Sequence, residues 1–176
     1  MPPAIASAAS HPDVLRVDDL PPEDLVDLLA SHGLRLHRVQ DGMPIPGSFW
    51  GDPEAGVIGS AVYARGDTPV HSLLHEACHL IVLPPERREQ VHTDATDSDM
   101  EEDATCYLQI VIAGCLPGVG SERLMADMDA WGYSFRLGST QAWFERDAED
   151  ARAWLSDRGL LSMRRPIDEP GLGTAT

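Results

Sequence analysis

The chain is poor in positive charge. Its 13 lysines and arginines stand against 29 aspartates and glutamates, giving a formal net charge of -16 and a pI near 4.6. Such a surface repels a phosphate backbone, so nucleic-acid binding is not expected, and an anionic membrane face is disfavoured for the same reason. Long apolar runs are missing as well. Tyr107 to Cys115 is among the longest, well short of the roughly 20 residues that a spanning helix needs. The N-terminal MPPAIASAAS has no basic start and no long apolar core, which makes it a poor signal peptide. Cysteine is scarce: Cys78, Cys106 and Cys115 are too few, and odd in number, for a disulfide framework. A reducing cytoplasm is therefore the expected location. No linker, low-complexity block, repeat or helix-turn-helix pattern interrupts the chain.

What is present suits one ordinary globular domain: 176 residues, 43% hydrophobic and 24% charged. We place that domain at residues 15–162, with flexible tails at 1–14 and 163–176. Pro21, Pro22, Glu23 and Asp24 open a helix that Gly33 ends. Alternation predicts a strand over 34–39, turns follow over 41–56, and 57–63 is apolar enough for a second strand. Thr68 reads as a helix N-cap and Pro69 as the first helical residue, with Pro84 and Pro85 forcing a stop. Further helices are expected over 100–113, 121–128 and 139–155, and a strand over 131–135. The fold class is α+β, a small sheet beside several helices.

One stretch of that second helix, His71 to Val82, reads HSLLHEACHLIV and sets imidazoles among leucines. Burying such groups is costly unless they find partners. His75-Glu76-Ala77-Cys78-His79 is an HExxH pentad, and positions i and i+4 share a helix face, so both imidazoles reach one zinc. Glu76, next in line, sits close enough to take a proton from a water polarised by that ion. His71 lies on the same stripe but is excluded as a ligand. Eight residues at 1.5 Å each separate it from His79 by roughly 12 Å, against metal–nitrogen bonds of about 2 Å. Cys78 points about 100° off the ligand face and reads as a small buried hydrophobe.

Catalytic zinc commonly takes three protein ligands. The helix opening Met100-Glu101-Glu102-Asp103 is the expected source of the third. Glu101, Ala104 and Leu108 share an i, i+3, i+7 stripe, which favours Glu101. Glu102 and Asp103 remain as alternatives, either as ligands or as groups supporting a ligand.

With those residues in view, the chain resembles the ImmA/IrrE family of zinc metallopeptidases, a gluzincin family. The resemblance covers about residues 57–117. It is carried by the pentad and by EEDATCYLQIVIAGCLP, in which Glu101, Ala104, Tyr107 and Leu116-Pro117 match a motif of roughly E-x-x-A-N/D-x-F-A ending in Leu-x-Pro; Arg65 also fits. Thr105 and Leu108 depart from it. Where Thr105 stands, the family has an Asn or Asp that orients a zinc histidine, a task that Asp103 or Asp99 could assume. The resemblance implies a minimal zincin-like domain, Zn2+ as cofactor, and an intracellular protein or peptide as substrate. The expected activity is peptide-bond hydrolysis with Glu76 as general base. The alternatives are a metal-binding interaction module of the same fold with little or no turnover, and a zinc hydrolase of non-peptide amides. For the oxyanion, Tyr107, Tyr133, His92 and Arg136 are candidates. Tyr63 would assist peptide binding if its strand were an edge.

Overall fold

The computed structural model describes residues 11–95 and 98–161. The expected C-terminal tail and most of the N-terminal one lie outside these. Packing nevertheless begins ahead of residue 15: Val14 is 3% exposed, and the Leu15 amide donates to the Asp127 carboxylate at 2.9 Å.

The fold is α+β. Among the described residues there are seven α-helices, a short 3-10 turn at Val17–Asp19 and a three-stranded mixed sheet. Helix α1 (Pro22–Ser31) leads into β1 (Arg35–Arg38), followed by β2 (Gly56–Ile58) and β3 (Ala61–Ala64). Helices α2 (Val70–Val82), α3 (Pro85–Arg88), α4 (Asp99–Ala113), α5 (Ser121–Trp131), α6 (Thr140–Arg146) and α7 (Glu149–Asp157) complete it. None is long and apolar enough to cross a membrane.

The strand expected over 57–63 is a hairpin instead. Ile58 pairs with Ala61 across a two-residue turn in which Gly59 holds a positive φ of 59°, the backbone such tight turns demand. Strand β3 is central, parallel to β1 and antiparallel to β2. Tyr63 is therefore not on an edge, and strand addition at β3 is excluded. The far side of β2 is covered too: the Val57 amide donates to Gly47 O, and Val57 O accepts from Thr93 N.

Helix α2 starts one residue later than expected. Pro69 is the N-cap in extended conformation, and Thr68 uses its hydroxyl to accept from the Arg65 amide at 2.9 Å. The helix ends where Leu83 turns extended ahead of Pro84. Every residue of α2 except His75 is buried. It is packed chiefly against α4 and also against β2, β3 and α5. Leucines such as Leu73 and Leu80, 0% exposed, each contribute roughly 1.5–3 kcal/mol by leaving water. This apolar sheath makes the helix a rigid platform.

Two further expectations change. Residues 131–135 are not a strand, because Trp131 closes α5 and Gly132 caps it at a φ of 108°. The helix expected over 139–155 is two: Asp147 leaves helical geometry (φ -137°, ψ 0°), and its carboxylate meets the Arg136 guanidinium.

Candidate metal centre

Ser98 sets the phase of α4. Its hydroxyl accepts from the Glu101 amide at 3.2 Å, so Ser98 is the N-cap and Glu101 the third helical residue. Glu101 then points to α3, where its carboxylate pairs with Arg87 at 3.0 Å. Glu102, one position on, turns toward α2. Its two oxygens lie 3.2 Å from His75 Nε2 and 3.2 Å from His79 Nε2. Of the two acids weighed from sequence, it is therefore the alternative, Glu102, and not the favoured Glu101, that stands against both imidazoles. A Ser98-x-x-Glu101 capping pattern was the overlooked signal. It marks Glu101 as the residue at the cap and leaves Glu102 for the interior.

The imidazoles face each other with Nε2 atoms 3.0 Å apart. Ligands on a tetrahedron around an ion at about 2.0–2.1 Å are about 3.3 Å from one another. The spacings of His75, His79 and Glu102 therefore fit a single metal ion, and all three ligand atoms lie within 4.8 Å of one another.

Each imidazole is oriented by α4. His75 Nδ1–H donates to Gln109 Oε1 at 2.6 Å, which leaves Nε2 bare for a cation. The matching tautomer of His79 has Nδ1–H donating to Thr105 Oγ1, 3.3 Å away. Gln109 and Thr105 are both 0% exposed. The resemblance marked position 105 as that of a histidine-orienting group but counted Thr105 as a departure from it, and Gln109 was not singled out. A local signal was two polar side chains at i+3 and i+7 from Glu102, on a helix otherwise apolar beyond Asp103.

Charge follows from this packing. Burial would push the Glu102 carboxyl up, but contact with both imidazoles outweighs it and holds the group well below the usual carboxylate range. Burial lowers His79, with Glu102 opposing and His75 adding to the effect. Glu76 is 8% exposed. Burial pushes its carboxyl up to about 7, against the pull of His75 and with help from Glu102, Glu54 and Asp94.

Two clefts meet at this group. One, of about 260 Å³, is lined by Phe49, Trp50, Thr93, Asp94 and Ala95 besides the site residues. The other, of about 370 Å³, is lined by Trp50, Glu54, Ser72, Trp131, Gly132 and Tyr133. His75, Glu76, Glu102 and Trp50 border both, so the two form one groove across the candidate centre. The groove is open to water: the Glu102 side chain is 41% exposed. Its lip is the segment before β2, anchored where the buried Arg65 donates to Met43 O at 2.9 Å and to Asp52 at 2.8 Å.

The other residues named from sequence are dispersed. Tyr133 stays at the groove, its ring 5.8 Å from that of His75 and its hydroxyl 3.3 Å from His71 Nδ1. Tyr107 faces away and stacks on Phe144. Asp103 lines a separate cleft with Arg136 and Asp147, and Asp99 is in the exposed first turn of α4. His92 hydrogen-bonds Thr93 on the surface. Cys78 is buried, as expected. Cys106 is also buried and places its thiol 3.9 Å from Glu102. His71 is 0% exposed, and its Nε2 has no hydrogen-bond partner.

No family model, curated protein or solved structure matches the chain. The chemistry of the site rests on its own geometry.

Proposed function

We propose that the protein is an intracellular zinc metallopeptidase of zincin-like fold that acts on a protein or peptide substrate. The observation that carries this reading is the convergence of His75, His79 and Glu102 at the centre of an open groove, with Glu76 on its wall. Zinc, when bound, would polarise a water and the scissile carbonyl. Gln109 and Thr105 hold the imidazoles so that both Nε2 atoms point inward. Glu76 takes a proton at its carboxylate and returns it to the leaving amine. Tyr133, at the groove wall, is the donor best placed to meet a developing oxyanion. A groove with two open arms suits an extended chain better than a small amide, which favours peptides over non-peptide amides.

The resemblance to the ImmA/IrrE family stands on the pentad; the Glu101 match does not extend to the imidazoles. The alternative of an inactive interaction module drew support from Thr105. That support weakens, because Thr105 lies on His79 Nδ1, where an orienting group is needed.

Metal analysis of the purified protein beside Glu76→Gln is the decisive test. Zinc in both at one equivalent, with hydrolysis of a broad peptide library lost only in the variant, is the expected result. A wild type without stoichiometric metal after zinc supplementation overturns the proposal.

A further inference from the structure

The larger arm of the groove holds a carboxylate that the metal centre does not use. Glu54 is half-buried on its wall, and its Oε1 accepts from the Trp131 indole N–H at 2.6 Å. That bond fixes the carboxylate in place while leaving most of its lone-pair capacity open. Among the described residues Glu54 forms no ion pair, and no lysine or arginine lines this arm. Arg16, whose guanidinium lies 5.3 Å from the Trp131 ring centre, directs its donors to Asp67 O and Pro12 O instead. Trp50, Trp131 and Tyr133 give this arm its aromatic faces, beside Ser72, Gly132 and the His75, Glu76 and Glu102 side chains of the candidate centre. Tyr133 and Trp50 both line the arm; Trp50 is 76% exposed, with Phe49 braced edge-on against it. A fixed anion beside three aromatic faces, in a cavity of about 370 Å³ without a basic residue, complements one kind of side chain: a long apolar stem ending in a cation.

We propose that this arm is a specificity pocket for a lysine or arginine side chain of the bound peptide, with Glu54 as its counter-ion and Trp50 as an aromatic face. The proposal rests on reading the groove as a peptide site. It adds the class of residue the site selects. Binding energy comes from a charge-assisted hydrogen bond to Glu54 and from cation–π contact with the exposed Trp50 face.

Affinity selection separates this from the peptidase reading. Zinc-loaded Glu76→Gln protein is incubated with a random hexapeptide library, and retained peptides are sequenced, beside the Glu76→Gln/Glu54→Gln double variant and Glu76→Gln/Trp50→Ala. A glutamine at 54 still accepts from Trp131, and Trp50 is on the surface, so neither change threatens the fold. Lysine and arginine should be enriched at one position about tenfold by the parent. That enrichment should vanish without the Glu54 charge and shrink without Trp50. No basic enrichment, enrichment that survives Glu54→Gln, or no retention at all overturns the pocket. Wild type that cuts peptides with no basic preference also sinks it and spares the peptidase reading. Basic-selective retention by a protein that never cuts does the reverse.

Discussion

Gln109 Oε1 lies 2.6 Å from His75 Nδ1, across the contact of α4 with α2. A carboxamide oxygen only accepts, so this bond places the His75 proton on Nδ1 and leaves Nε2 free to bind a cation.

Replacing that residue by leucine removes the acceptor and leaves a buried N–H unpaired. Gln109→Leu should weaken zinc binding about 10- to 100-fold, read by competition against a chromophoric chelator. Gln109→Glu, which still accepts, should hold zinc far better than the leucine variant. Equal affinity in all three would disprove the orienting role.

The two neighbouring acids of α4 make opposite predictions. Glu102→Ala should lose stoichiometric zinc after dialysis, because it removes the carboxylate that reaches both imidazoles. Glu101→Ala should keep it. Its pair with Arg87 is partly exposed, so the stability change should stay below about 1 kcal/mol in a urea titration. Zinc loss from the Glu101 variant instead would restore the assignment made from sequence.

The stability of the fold should fall in mild acid because of His71. Burial, with the charges of His75 and Arg16, lowers its pKa to about 3 from an ordinary 6.5. At pH 7 both folded and unfolded states hold it neutral, and nothing is lost. Below 6.5 the unfolded chain takes up a proton that the folded protein refuses, so unfolding gains about 1.4 kcal/mol per pH unit down to about pH 3. His71→Phe should flatten the part of this slope between pH 6.5 and 5, measured as urea midpoints. An unchanged slope would show that His71 is protonated in the folded state.

Gly56 carries the last prediction. A Cβ there would overlap backbone atoms of Pro46, Gly47 and Ser48, on the segment that leads into Phe49 and Trp50. Backbone yields less easily than a side-chain end, so Gly56→Ala should cost about 1–3 kcal/mol. Thermal unfolding should show a fall of several degrees, with a change in the fluorescence of the exposed Trp50. A melting curve identical to wild type would mean that the lip tolerates displacement.

Local order along the chain was largely legible, because it depends on neighbours in sequence. Prolines and glycines bounded most of the helices as read, and the 3.6-residue period alone put His75 and His79 on one face with Glu76 between. The misreadings arose where a longer-range partner intervened. The expected strand at 57–63 folded back at Gly59, and the expected helix over 139–155 broke where Asp147 met Arg136. Trp131–Phe135 alternates like a strand, yet its first residue closes a helix.

By itself, then, the sequence determined the pentad and the apolar helix that carries it, both products of short-range periodicity. Only the tertiary structure decided what completes them. Helix α4 is buried on all sides from Ala104 to Ile110, so its apolar pattern marks no inward stripe. Its rotation against α2 is set by packing. That rotation brings Glu102 rather than Glu101 to the imidazoles, with Thr105 and Gln109 behind them. Glu54 and Trp50 likewise meet the groove only because the sheet and the segment before it fold against α2, a proximity that no local pattern encodes.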